Sequence, residues 1–167
     1  MAPMRPQWSD ADTLLLAIAP QAWPPPSRGV RVDGTDFAPK RELHVTIVGR
    51  ALGAQARAAM AREAALAAAI AAALASLDWS WTRRREWWLL RKCGGGAHKA
   101  SIVEAVALPA MRPFHARLGE LLDRRLPVPP PHVTLYVAGD AEGIGVPDAG
   151  AWRRHVARAV TARELDL

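Results

Sequence analysis

The chain has 167 residues and a mass of 18.1 kDa, half of it hydrophobic and 23% charged, which fits one globular domain over 1–167 and excludes a disordered tail. A single cysteine, Cys93, excludes a disulfide framework and a zinc ribbon. The formal charge of +6 invites an anionic partner, yet 19 arginines against three lysines, beside 34 alanines, is a skew that GC-rich coding alone produces.

In chain order, Leu14 to Ala19 before Pro20 reads as a buried strand. The same stretch imitates a secretory signal, but Asp10 and Asp12 stand where a positive segment belongs, so a cytoplasmic protein is expected. The longest uncharged run, Ala64 to Leu77, is too short for a membrane span. Pro20 to Pro39 reads as a loop, and Glu42 to Val48 alternates as a strand. Ala51 to Leu77 reads as one helix with a stripe of Leu66, Ile70, Leu74 and Leu77. Trp79 to Thr82 and Trp87 to Leu90 suggest two strands turning at Arg83-Arg84-Arg85. Trp79 and Trp81 are placed in the core, and of Trp87 and Trp88 one is expected buried and the other exposed.

Gly94-Gly95-Gly96 reads as a flexible loop and Ser101 to Leu108 as a strand. A second helix follows from Met111 to Leu126, with Pro113 in its first turn. Pro127 to Pro131 leads stiffly into a strand, His132 to Val137. The tail holds a short helix, Trp152 to Arg158, and a closing strand ending at Leu167. Strands and helices do not alternate strictly, which is the α+β class.

One pattern occurs twice. Glu42-Leu43-His44-Val45-Thr46-Ile47-Val48-Gly49 and Pro131-His132-Val133-Thr134-Leu135-Tyr136-Val137 carry the same tetrad 132 − 44 = 88 positions apart. In a strand, residues i and i+2 share a face, so His44 and Thr46 point one way while Val45 and Ile47 point into a core. The second copy places His132, Thr134 and Tyr136 together, with Val133 and Leu135 inward. Two such strands can form opposite walls of a cleft. One histidine strand is commonplace, but a duplication kept only for structure has no reason to repeat both histidines and both threonines.

The chemistry that needs this set is phosphodiester cleavage by general acid–base catalysis. One neutral imidazole takes a proton from the attacking water or hydroxyl, and the other, protonated, gives one to the departing oxygen. The threonine hydroxyls donate to phosphoryl oxygens. No metal and no other cofactor is required.

On His44-Val45-Thr46-Ile47 and His132-Val133-Thr134-Leu135 the chain resembles the two-histidine (2H) phosphoesterase superfamily, which includes bacterial RNA 2′,3′-cyclic phosphodiesterases once described as 2′–5′ RNA ligases. The resemblance implies a bilobal, pseudo-two-fold α+β fold, two antiparallel sheets facing a central cleft with helices outside. It implies that His44 and His132 are the acid–base pair, that Thr46 and Thr134 hold the phosphate, and that RNA ends with a cyclic phosphate or small cyclic nucleotides are the partners. Val48-Gly49-Arg50 stands where many members acting on RNA ends carry an aromatic residue. Substrates with 3′,5′ or ADP-ribose cyclic phosphates, reverse 2′–5′ ligation, and a silent RNA- or nucleotide-binding module stay open. So does the choice of which histidine is the base. No obligate protein partner is evident.

Tyr136 is placed to stack on a base or touch the phosphate, or else to close the rim of the sheet. Arg91, Lys92, His98 and Lys99 flank the triple glycine and can close on a phosphate, although an exposed hairpin loop has the same composition. The segment lacks the G-x-x-x-x-G-K-[ST] pattern of a P-loop. Cys93 and His98 lack partners for a metal, and His115 and His155 read as surface residues.

Overall fold

A computed structural model describes residues 4–94 and 97–167. The fold is α+β, with four α-helices on a nine-stranded, open sheet in which every pairing is antiparallel. A short edge strand β1 (Gln7–Trp8) pairs β2 (Leu14–Ile18), and β2 pairs the first motif strand, β5 (Leu43–Val48). The second motif strand, β8 (His132–Ala138), lies beside β5 and is followed across the sheet by β7 (Ala97–Ala107), β6 (Thr82–Gly94) and β9 (Val156–Val160). The expected pair of facing sheets is thus one continuous sheet, pinched between β5 and β8, where the two strands share the pair Val45–Val133.

The proline-rich stretch contains a hairpin, β3 (Val30–Val32) and β4 (Thr35–Pro39), in place of the expected loop. Its turn is Asp33-Gly34 with φ of 50° and 74°, the doubly left-handed turn that matches strand twist. β4 then pairs β8 at Ala38–Val137 and Pro39–Tyr136, and the Lys40 amide donates to the Leu135 carbonyl at 2.8 Å.

The alanine-rich segment is two helices, α1 (Arg50–Arg62) and α2 (Ala64–Ser76), because Glu63 is extended. A straight helix of that length would run about 40 Å, the full width of a domain this size. The break lets Leu66 and Ile70 reach the core with Phe114 and Leu118 of α3 (Met111–Leu121). α3 stops five residues before the predicted end. Its face of Met111, His115 and Leu118 is buried, so His115 is a core residue, 1% exposed, and not a surface one. Both Trp87 and Trp88 are half-buried, on opposite faces of β6, so neither is exposed as expected. The tail helix α4 (Ala149–His155) is capped by Asp148, and the last strand ends at Val160, ahead of a 3-10 turn at Ala162–Leu165. The loop expected at Gly95 and Gly96 lies outside the described residues, among which no helix is long and apolar enough to cross a membrane.

The predicted hairpin at Arg83-Arg84-Arg85 is a bulge within the single strand β6, with Arg85 at φ 56°. Glu104 of β7, fully buried, holds it there. Its carboxylate accepts from Arg83 Nε and Nη2 at 2.8 and 2.7 Å, from Trp87 Nε1 at 2.8 Å and from the Arg85 amide at 3.2 Å. The Arg83 guanidinium stacks 4.0 Å over the Trp23 ring. Glu104 is also the register partner of Val133, so the same carboxylate supports the motif strand from one side. A buried charge stripped of its partner destabilises a fold by about 3–5 kcal/mol. Arg83→Met is therefore expected to lower unfolding stability by about 3 kcal/mol in urea titrations; a loss under about 1 kcal/mol would show that water replaces the guanidinium.

Candidate active site

The sheet register builds the site. β5 and β8 pair antiparallel at Val45–Val133, which brings His44 and Thr46 alongside His132 and Thr134, all four half-buried on the face opposite the two buried valines. Since 45 + 88 = 133, the two valines are equivalent members of the repeat, and a local two-fold axis passes between them. The two histidines are close enough for the charge on one to act on the other.

The symmetry extends to a defect. β5 has a bulge at Ile47 against β2, and β8 has one at Leu135 against β7, the equivalent position. Each bulge turns the next residue toward the core and ends the run of outward side chains after threonine. Tyr136 is consequently 2% exposed in the main core and does not share the face of Thr134. Its hydroxyl pKa is raised by burial and then by the Asp166 carboxylate. The substrate contact considered for Tyr136 is corrected on this ground.

The rim is uneven. On the β2 side the neighbours are Ala17, opposite His44, and Leu15, opposite Thr46, both left at least partly open to solvent. On the other side a small second core of Leu90, Val103, Ile144, Val146 and Ala151 rises from the same face. Trp152 of α4 stands at its edge, its ring 5.7 Å from the His132 ring and edge-on to Trp88 at 6.3 Å. The segment after β8 crosses the face, tied by Ile144 N–H to Ser101 Oγ at 3.2 Å and by Lys40 Nζ to the Ala141 carbonyl at 3.0 Å. A Cβ on Gly143 would stand 2.9 Å from Thr134 Oγ1, so only glycine passes there without moving the hydroxyl.

Burial lowers the pKa of both motif histidines. For His132 the Nδ1–H donated to the Pro130 carbonyl at 2.8 Å opposes that effect, and it fixes the tautomer that leaves Nε2 for chemistry. For His44 burial is reinforced by the Lys40 ammonium and by His132, with Glu42 opposing. His115 lies behind the sheet, its Nδ1 bonded to the Met111 carbonyl at 2.9 Å and its Nε2 buried without a hydrogen-bond partner.

Arg91, Lys92, His98 and Lys99, the cations considered for phosphate binding, line a pocket of about 160 Å³ together, but it includes none of the motif histidines or threonines. Arg50 pairs with Glu142 at 3.5 Å beside the site. Arg91 pairs with Asp33 at 3.5 Å and Lys99 with Asp140. Lys92 and Lys99 face each other across the β6–β7 hairpin, and Lys99 is four residues, about 13 Å, along β7 from Val103, the neighbour of Thr134. Lys40, Gly143 and Trp152 are the site residues that sequence reasoning missed, since each arrives from a separate element. Among the described residues no three His, Cys, Asp or Glu side chains gather as a metal's ligands would. Comparison with protein-family models, curated proteins and solved structures finds no match to this chain.

His44, His132 and His115 all have pKa values below the ordinary 6.5. Each binds a proton more readily in the unfolded chain, so their contribution to stability is complete above about pH 6.5 and is lost as pH falls below it. The urea midpoint is expected to fall between pH 7 and 5, and less steeply in a His44→Gln, His132→Gln double variant. Parallel slopes for the two proteins would contradict these directions.

Proposed function

We propose that the protein is a metal-independent phosphodiesterase that opens cyclic phosphates, of the 2′,3′ kind on RNA ends or small nucleotides, by two-histidine acid–base catalysis. The observation that supports this reading is the Val45–Val133 pair, beside which two imidazoles and two hydroxyls stand half-buried on one face. A purely structural reading has to explain His44, Thr46, His132 and Thr134 separately, whereas one reaction uses all four.

In the reaction, Thr46 and Thr134 hydroxyls donate to the non-bridging oxygens and gain strength as charge gathers there. Water attacks phosphorus while one imidazole accepts its proton. The ring P–O bond breaks as the other imidazolium protonates the departing ribose oxygen. One water is added, and the two imidazoles end with their proton exchanged, to be reset through solvent. A bound phosphodiester anion opposes the burial that keeps both rings neutral, so substrate itself recruits the proton that the acid needs.

Arg50, Arg91 and Lys99 end on acidic partners of the same chain, which favours a small cyclic nucleotide or the terminal residue of an RNA over a long phosphate track. Trp152 beside His132 offers an apolar surface to the rest of that nucleotide.

His44→Ala and His132→Ala are each expected to lower kcat/KM on 2′,3′-cyclic nucleotides by about 10²–10⁴, with wild-type turnover unchanged by EDTA. Full activity in both variants, or binding of cyclic-phosphate substrates without turnover by the wild type, would overturn the proposal, the second outcome in favour of a binding module.

A further inference from the structure

The segment that crosses the open face after β8 carries two carboxylates to the edge of the motif residues. The chain leaves β8 through Gly139, at φ 82°, and continues as Asp140-Ala141-Glu142-Gly143. Gly143 lies against the Thr134 hydroxyl. Since consecutive Cα atoms are about 3.8 Å apart, the Glu142 backbone stands within about 8 Å of that hydroxyl. The segment is tied down along its length. Lys40 Nζ donates to the Ala141 carbonyl at 3.0 Å, and the Glu142 amide donates to Asp140 Oδ1 at 3.1 Å. Ion pairs join Asp140 to Lys99 and Glu142 to Arg50. Past the glycine, the Ile144 amide bonds Ser101 Oγ, and Ile144 and Val146 are buried in the small second core. Exposed ion pairs hold little by themselves. The backbone ties and the two buried side chains are what keep both carboxylates in place.

We infer that Asp140 and Glu142 are an electrostatic filter that admits a cyclic nucleotide with one phosphate and rejects an oligonucleotide ending in the same cyclic phosphate, an assignment that rests on the phosphodiesterase reading and narrows its substrate. The segment gathers three cations, Lys40, Arg50 and Lys99, against its two carboxylates. That leaves one net positive charge, the complement of a single phosphodiester. Each further phosphate of an RNA chain would meet carboxylates already seated on Arg50 and Lys99. The Lys99 ammonium, joined by the Glu142 and Ala141 amides, holds the Asp140 carboxyl below the usual carboxylate range, so its charge is present at neutral pH. Two unit charges about 8 Å apart in water change an equilibrium about two- to threefold, and more where protein lowers the dielectric. Two carboxylates against several phosphates therefore reach about tenfold. A carboxylate that merely waited to be displaced by substrate would need a segment free to leave, and Ile144 anchors this one two residues past Glu142.

The test sets a nucleoside 2′,3′-cyclic phosphate against a tetranucleotide of the same terminal base ending in a 2′,3′-cyclic phosphate. The full chain is used as wild type, as the Asp140→Asn, Glu142→Gln double variant and as Glu142→Asp. Both kcat/KM and the calorimetric Kd of the matching 2′-phosphate ligands are measured. The wild type is expected to favour the mononucleotide in both. The double variant should raise the tetranucleotide-to-mononucleotide ratio about tenfold and leave the mononucleotide within about threefold. Its tetranucleotide binding should also weaken more steeply with salt, because Arg50 and Lys99 are released to phosphates. Glu142→Asp keeps the charge and should keep the wild-type ratio, whereas a merely structural role would lower both substrates together. Turnover with an unmoved ratio, or a wild type that prefers the tetranucleotide, overturns the filter while the phosphodiesterase reading stands. A ratio that moves in Kd without turnover of either substrate supports the filter and overturns that reading. Binding of neither ligand overturns both.

Discussion

The pairing of Val45 with Val133 is the constraint on which the site depends. Strand side chains alternate, so a slip of one residue between β5 and β8 would send a histidine and a threonine into the core and bring valines to the surface. That slip is opposed from both sides. Leu43, Val45, Ile47, Val133 and Leu135 are buried against the helices, and Glu104 pins the neighbouring strand through four hydrogen-bond donors. The polar patch of histidines and threonines is thus a by-product of hydrophobic register.

Around that axis the two halves diverge. The repeat covers the tetrad and the bulge after it, and little more. Past the first motif the chain turns into α1, whose break at Glu63 folds α2 back on α3. Past the second it crosses the open face, builds the second small core and returns as α4 and β9. The repeated motif therefore sits in an asymmetric frame, with the Trp152 ring beside His132 and no aromatic ring recorded beside His44 among the described residues.

The motif strands were legible in the sequence because alternation over five or six residues is a strong signal, and the shared face of each His-Thr pair followed from it. The shared face of the two pairs did not follow, since strand order is set by contacts 88 residues apart. Tyr136 was assigned to the wrong face because parity fails at a bulge, and nothing local marks Leu135 as one. The β3–β4 hairpin carried its Asp-Gly signal, but arms this short show no alternation between prolines. β6 continues through three arginines with the Glu104 carboxylate of β7 receiving the Arg83 side chain and the Arg85 amide. The burial of His115 was legible in principle, four residues after Met111 and three before Leu118 on one helix face. Lys40 gave no sign at all: its place is set by where β8 runs, not by its neighbours in the chain.

The central claim is that one phosphate sits between His44 and His132. Titrating the protein with a nucleoside 2′-monophosphate while following both imidazole resonances tests it most directly. The account predicts that both rings shift along one saturable isotherm at one ligand per chain, each taking up proton density as the phosphate binds. Binding that perturbs only one ring, or two isotherms of different midpoint, would contradict it.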